Sequence, residues 1–276
     1  MHVCYALRQR FRYDYPGPIS NLRHRLVIAP PRTYGDQEVV RDRLVVTPEI
    51  AVQWDEDPFG NAVATLAARR IDDAIDLDYE AVVRRTGGPH PRILASWHDD
   101  ARMHRPSALT TPDDALRTAA ATLLREHDGD EHALAARINA YVFEHMRYVP
   151  DVTNVATTAA QAFAQRTGVC QDYAHIMLAL CRLCGLAARY VSGHLLGEGG
   201  THAWVEVIGA PLNDGTAPAW GFDPTHRRAT TLAYVFVAAG RDFADVTPTS
   251  GCFVAPYIGR FTTSRSVEIV ETEDAA

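Results

Sequence analysis

Lysine is missing from this sequence: all 27 basic charges are arginine. A GC-rich coding bias toward Arg and Ala accounts for that, and it also leaves the chain without a lysine amine of its own. Cysteine is scarce and odd in number, with five residues in 276: Cys4, Cys170, Cys181, Cys184 and Cys252. An odd set with no export signal is no disulfide framework, so each thiol is a core residue, a metal ligand or a nucleophile. No stretch approaches the ~20 apolar residues of a membrane span. The opening Met1-His2-Val3-Cys4-Tyr5-Ala6-Leu7-Arg8 lacks the charged and apolar regions of a signal peptide. The expectation is therefore a cytoplasmic protein with no membrane partner. Basic charge is also the minority, 27 residues against 34 acidic for a net −7, which argues against general binding of nucleic acid. What is present is ordinary globular chemistry, 47% hydrophobic and 22% charged. The length suits two domains.

Residues 1–95 read as strands and turns. Segments 3–13, 22–28, 50–54, 62–68 and 77–84 carry strand-type Tyr, Val, Ile and Phe. Tyr15-Pro16-Gly17-Pro18 and Asp57-Pro58-Phe59-Gly60-Asn61 are reversals between them. The expected organisation is a β-rich N-terminal domain over 1–95, a connector over 96–112 and a second domain over 113–276. That second domain opens with helices. Thr111-Pro112-Asp113-Asp114 is a helix start, Asp130 caps a helix over 131–145, and 157–165 forms a short third. Residues 171–185 are apolar nearly all round, the mark of a buried helix, with Gly185 as its stop. Strands follow at 187–196, 201–208, 220–223, 232–238 and 266–270. One buried helix and a run of short strands predict an α+β domain with an antiparallel sheet.

Cys170 stands where Thr167-Gly168-Val169 enters that helix. Unpaired N–H groups and the positive end of the helix dipole favour thiolate there, and the same N–H groups suit an oxyanion. Asp172 opposes this unless it faces away to cap the helix. In Thr201-His202-Ala203-Trp204-Val205-Glu206-Val207, alternation puts His202, Trp204 and Glu206 on one strand face. A lone strand histidine is most often an ordinary hydrogen-bonded residue, but a third element changes the weighing. Trp220-Gly221-Phe222-Asp223-Pro224 follows a turn at 213–215. Hairpin pairing then brings Asp223 within a residue or two of register with His202. Asp223 can fix the imidazole tautomer while the other nitrogen meets Cys170. The three residues form a Cys–His–Asp nucleophilic set.

These segments resemble a known family. Gly168-Val169-Cys170-Gln171-Asp172-Tyr173-Ala174-His175, Ala188-Arg189-Tyr190-Val191-Ser192-Gly193, Thr201-His202-Ala203-Trp204-Val205-Glu206-Val207, Phe222-Asp223-Pro224-Thr225 and Gly240-Arg241-Asp242-Phe243-Ala244-Asp245-Val246 are similar to those of bacterial transglutaminase-like proteins. The first half, with Asp57-Pro58-Phe59-Gly60-Asn61, resembles the N-terminal region that accompanies such domains. Gly251-Cys252-Phe253 departs from the pattern, with Cys252 where a different residue is expected. The resemblance implies a papain-like core with Cys170 as nucleophile, His202 as general base and acid, and Asp223 as orienter. It leaves the reaction open between hydrolysis of a peptide or glutamine-type amide and transfer to an amine. A third possibility is a non-catalytic interaction module that retains the fold. No cofactor is implied.

Further candidates are weaker. Tyr148, Asn154 and Gln165 precede Cys170 and are candidates for a second oxyanion donor. Trp204 is a candidate groove wall, His226 a candidate for the cleft rim, and His175 a buried residue or a support for Cys170. Cys181-Arg182-Leu183-Cys184 falls in the last turns of a buried helix, unlike redox C-x-x-C pairs at helix starts, and reads as core thiols. No histidine–cysteine spacing supports a metal.

Overall fold

The computed structural model describes residues 2–273 apart from 89 and 128. Alternating burial along His2–Asp14, Ile19–Leu26 and Ala74–Arg85 lets each strand bury one face, and two sheets close over that face as a β-sandwich. One sheet has five strands in the order Arg260–Glu273, His2–Asp14, Ala74–Arg85, Gln37–Thr47, Thr33–Tyr34. The other has four, in the order Thr249–Val254, Ile19–Leu26, Ala62–Ile71, Val52–Glu56.

Two of those strands come from the far end of the chain. Arg260–Glu273 pairs antiparallel along the whole of His2–Asp14, and Thr249–Val254 pairs with Ile19–Leu26. The expected division at 1–95 and 113–276 is thereby corrected at its C-terminal side: the last strands complete the N-terminal sandwich. It is corrected also at 92–94, where Arg92–Leu94 pairs with Thr216–Asp223 of the second sheet. The connector is not structureless, since Asp100 caps a short helix, Ala101–His104.

The second unit is α+β. Asp113, Asp130 and Thr158 cap helices Asp114–Arg125, Glu131–His145 and Ala159–Gln165, each side chain accepting a backbone N–H of the first turn. The central helix, Cys170–Leu183, is buried over most of its length and ends at Gly185, whose φ of +82° suits glycine. It packs on an antiparallel sheet ordered Arg228–Ala229, Thr216–Asp223, His202–Ile208, Ala187–Leu195, Tyr234–Gly240. Both faces of His202–Ile208 are buried. Ala203, Val205 and Val207 join the core that contains the helix, whereas Trp204 packs with Tyr234 and Phe236 in a separate cluster that Tyr34 of the sandwich covers.

The sandwich grips the outer strand of this sheet. Asn61 receives the Ala239 N–H at 2.8 Å and donates to the Ala239 carbonyl at 2.7 Å. Gln37 does the same to Phe236, at 2.9 Å each way. Two side-chain amides thus satisfy an edge that would otherwise expose open donors and acceptors. Tyr5 donates to the Leu232 carbonyl at 2.7 Å, and Arg85 to that of Tyr234. A buried Arg189–Glu206 pair, 2.8 Å apart, joins the Tyr34 hydroxyl across the same boundary. Among the described residues no helix is long and apolar enough to cross a membrane.

Candidate active site

The helix start is built around Asp172. Its carboxylate accepts the Val169 N–H at 2.8 Å and the Thr153 hydroxyl at 2.7 Å, closing the turn into Cys170 from below. Asp172 therefore faces away from the sulfur, as a cap. Burial pushes its carboxyl above the usual range, while these two donors work in the opposite direction. Gly168 is required by contact: a Cβ there would lie 2.5 Å from Asp172 Oδ2. Cys170, at the first helical position, is partly exposed.

His202 and Asp223 meet as the end of a hairpin. The ladder pairs Val205 with Phe222 and Ile208 with Ala219, two residues from the register read off the turn, and past Val205 it opens. There His202 Nε2 lies 2.8 Å from Asp223 Oδ2. Cys170, at the start of the helix that packs on the His202 strand, adds to the charge environment of the ring, and with Nε2 committed to Asp223, Nδ1 is the ring nitrogen left open. Burial lowers the imidazole's affinity for a proton, but the hydrogen bond to Asp223 and the neighbouring Cys170 and Glu198 outweigh it and raise the ring to about 11.

Asp223 is wholly buried and heavily bonded. Oδ2 also accepts the Tyr234 hydroxyl at 2.6 Å and His226 Nδ1 at 2.7 Å, while Oδ1 accepts the Thr225 N–H at 2.9 Å. Burial would raise its pKa, yet His202, Tyr234 and His226 hold it well below the ordinary carboxylate range. Asn139, buried behind this turn, points its amide nitrogen at the Asp223 carbonyl, 3.1 Å away, when oriented to satisfy its neighbours. Glu198 completes the cluster. Its carboxylate oxygens lie 3.0 Å from His202 Nδ1 and 3.2 Å from His226 Nε2. The first contact has ion-pair distance without hydrogen-bond alignment, since Nδ1 has no hydrogen-bond partner of good geometry there.

The other sequence candidates fall elsewhere. Tyr148 is 51% exposed and lies beside the cysteine turn, because Arg147–Tyr148 pairs in parallel with Thr167–Gly168. Asn154 spends its side-chain oxygen on the Ala156 N–H at 2.9 Å, and Gln165 is exposed at the last position of its helix. Trp204 is 2% exposed, so as a groove wall it is corrected, and His175 is the fully buried residue of the two alternatives given for it; neither offers surface to a substrate. Trp204 packs under Gly193, where a Cβ would lie 2.4 Å from its ring, and His175 Nε2 accepts the Phe243 N–H at 3.2 Å. Burial pushes the Cys181 thiol up and raises Cys184 to about 11, as suits core thiols. The ligand atoms of His202, Asp223 and His226 lie within 4.8 Å of one another, the spacing of a cation site, but a metal there would have to displace the protons both rings share with Asp223.

Glu198, Tyr234 and Asn139 were not foreseen. Glu198 lies in a glycine-rich loop whose path depends on where two strands end. Tyr234 reads only as a strand residue, and Asn139 only as one polar position in a helix.

This geometry meets known proteins in two ways. Residues 117–216 match the transglutaminase-like superfamily, and residues 5–84 match the bacterial transglutaminase-like N-terminal region. The chain carries a transglutaminase-like core. Cys170 and His202 lie inside the matched core, and Asp223 lies seven residues beyond it. A Cytophaga hutchinsonii protein provisionally assigned as a cysteine protease has the same fold over the whole of this chain and 93% of its own, with TM-score 0.80 and 22% identity. An uncharacterised protein of Mycobacterium leprae is 27% identical over 93% of both chains. One of Mycobacterium tuberculosis is 28% identical over 90% of this chain and 86% of its own. The transglutaminase-like core therefore belongs to a papain-like α+β fold behind a β-sandwich.

Proposed function

We propose that this protein is a cysteine-dependent enzyme that opens amide bonds through a thioester, with water as the final acceptor. The observation that supports the reading is the His202–Asp223 contact at 2.8 Å, with the second imidazole nitrogen open and Cys170 at the start of the helix that packs on the His202 strand. An imidazole raised to about 11 stays protonated at neutral pH, and a cationic ring beside the sulfur is the setting in which cysteine attacks as thiolate.

The steps follow from the placement. The Cys170 thiolate adds to the amide carbon, and the carbonyl electrons move onto oxygen. The Asp172 and Tyr173 N–H groups bond the Val169 carbonyl, so the orphan donors of the first turn are those of Cys170 and Gln171, and they would receive the oxyanion. His202 gives its proton to the departing amine as the C–N bond breaks. The ring, now neutral, takes a proton from water as that water attacks the thioester. The acid leaves and Cys170 is restored. Asp223 stays ionised throughout and holds the ring. The substrate class that fits is a peptide or protein presenting a backbone or glutamine-type amide.

The test is a panel of peptide and glutamine amides turned over by wild type beside Cys170→Ala, with and without a small primary amine. Hydrolysis predicts acid and ammonia or free amine. Product carrying the added amine would instead make transfer the reaction. Turnover that survives Cys170→Ala would overturn the reading.

A further inference from the structure

The mouth of the site carries a charge that the thioester chemistry does not use. Glu198 is 40% exposed, and its ion-pair partners among the described residues are two imidazoles, His202 and His226, with no arginine. It sits on Gly197-Glu198-Gly199-Gly200, where a side chain added at any of the three glycines would meet nothing within 4 Å. The loop is tied at its base by the Glu198 N–H to the Leu195 carbonyl, 3.1 Å, and its three glycines leave room around the carboxylate for a side-chain rotation. Tyr148, half exposed, lies beside the turn that leads into Cys170, and burial together with the charges of Cys170 and Glu198 raises its phenol. Its ring is backed by Tyr173 at 6.4 Å. An aromatic face and a half-exposed carboxylate that shares its imidazole partners with the buried Asp223 are the two elements that recognise an organic cation.

We propose that Glu198 and Tyr148 form a receptor for a cationic group, an alkylammonium or guanidinium, carried by the substrate next to the amide that Cys170 attacks. This rests on the reading of Cys170 as nucleophile. It adds a consequence for the imidazole. Glu198 lies 3.0 Å from His202 Nδ1, the nitrogen the thiol needs. A substrate cation that draws the carboxylate off the ring leaves Nδ1 to Cys170 alone, so arrival of the right substrate completes the nucleophilic pair. An anionic substrate meets the same carboxylate uncompensated and is turned away.

The experiment uses three methanethiosulfonates of similar size: trimethylammonioethyl, methyl and sulfonatoethyl. In each reaction the Cys170 thiolate forms a mixed disulfide and methanesulfinate leaves, so no substrate need be known. Rates at Cys170, resolved by peptide mass, are divided by those for free glutathione at the same pH and low salt. The expected cation-to-anion ratio in the wild type is about tenfold, as an exposed single charge near a nucleophile gives. Glu198→Gln should bring it to within about threefold of unity, and Tyr148→Leu should lower the cation-to-methyl ratio while leaving methyl-to-sulfonate in place. A wild-type ratio near one overturns the proposal. So does a Glu198→Gln variant that slows all three reagents equally, because that is the signature of a residue that only positions His202. The ratio is independent of turnover: a Cys170 no faster than Cys252 with the methyl reagent counts against the thioester reading, while the charge preference still reports on Glu198. Both side chains are exposed, and thermal melts of the variants confirm that the fold is kept.

Discussion

His202 Nε2 stands 2.8 Å from Asp223 Oδ2, and that one oxygen also takes the Tyr234 hydroxyl at 2.6 Å. Tyr234 begins the strand that Gln37 and Asn61 of the sandwich hold at Phe236 and Ala239. The N-terminal domain thus touches Tyr234, Tyr234 touches Asp223, and Asp223 touches His202.

Replacing Asp223 with Asn keeps the shape but removes the charge that holds His202 protonated and in one tautomer. Amide turnover should fall by about 10²–10⁴-fold. Tyr234→Phe leaves the carboxylate and removes one of its donors, so a loss of about fivefold is expected, the equivalent of ~1 kcal/mol. Steady-state kcat/KM on the same amide checks both. Equal losses for the two variants would contradict the assigned roles.

Gly168→Ala should act on the catalytic turn without touching a reacting atom. The new methyl would sit 2.5 Å from Asp172 Oδ2 and 2.8 Å from its Cβ, with Asp172 fully buried. Either the cap on Val169 is lost or the turn moves, at a cost of about 2–3 kcal/mol. Urea denaturation reads the stability, and the alkylation rate of Cys170 reads the turn. An unchanged midpoint would show that the turn relaxes freely.

Three buried histidines set the acid limit of the fold. Burial lowers His24, His175 and His194 to about 4 each. A histidine depressed in the folded state contributes stability above its unfolded value, near 6.5, and loses it as pH falls toward the folded one. His202 has the opposite sign: its stabilisation is complete below about 6.5 and fades as pH rises toward its raised value of about 11. Between pH 6.5 and 5 the first effect dominates, on the order of 2 kcal/mol for each of His24 and His194. Urea midpoints measured at pH 6.5 and 5 should show the drop, and His24→Gln should lessen it. Equal midpoints would mean that these rings are hydrated in solution.

The sequence made the meeting of His202 with Asp223, and the place of Cys170 at a helix start, legible because each residue sits on an element encoded locally. Cys170 follows a glycine turn into an apolar helix, His202 opens an alternating strand, and Asp223 precedes a proline that ends one. The helix cap at Asp130 and the helix start at 111–114 were legible for the same reason, since a cap acts within three residues. The origin of the last strands was not. Residues 266–270 read as a strand, but nothing local distinguishes pairing with His2–Asp14 from pairing within the second sheet. Glu198 was hidden by its loop, where glycines encode freedom and not position. Trp204 shows the limit of face arguments: it shares a side of the strand with His202, yet Tyr234 and Phe236 cover it.

Iodoacetamide labelling at pH 6, resolved for each cysteine, is the most direct measurement of whether the sulfur, the imidazole and the carboxylate act together. Cys4 and Cys181 are buried, Cys184 is partly buried, and Cys252 is exposed on a strand of the sandwich. Cys170 should label far faster than the other four, and Asp223→Asn should slow that phase while leaving Cys252 unchanged. A Cys170 that labels no faster than Cys252, or one indifferent to Asp223→Asn, would contradict the account.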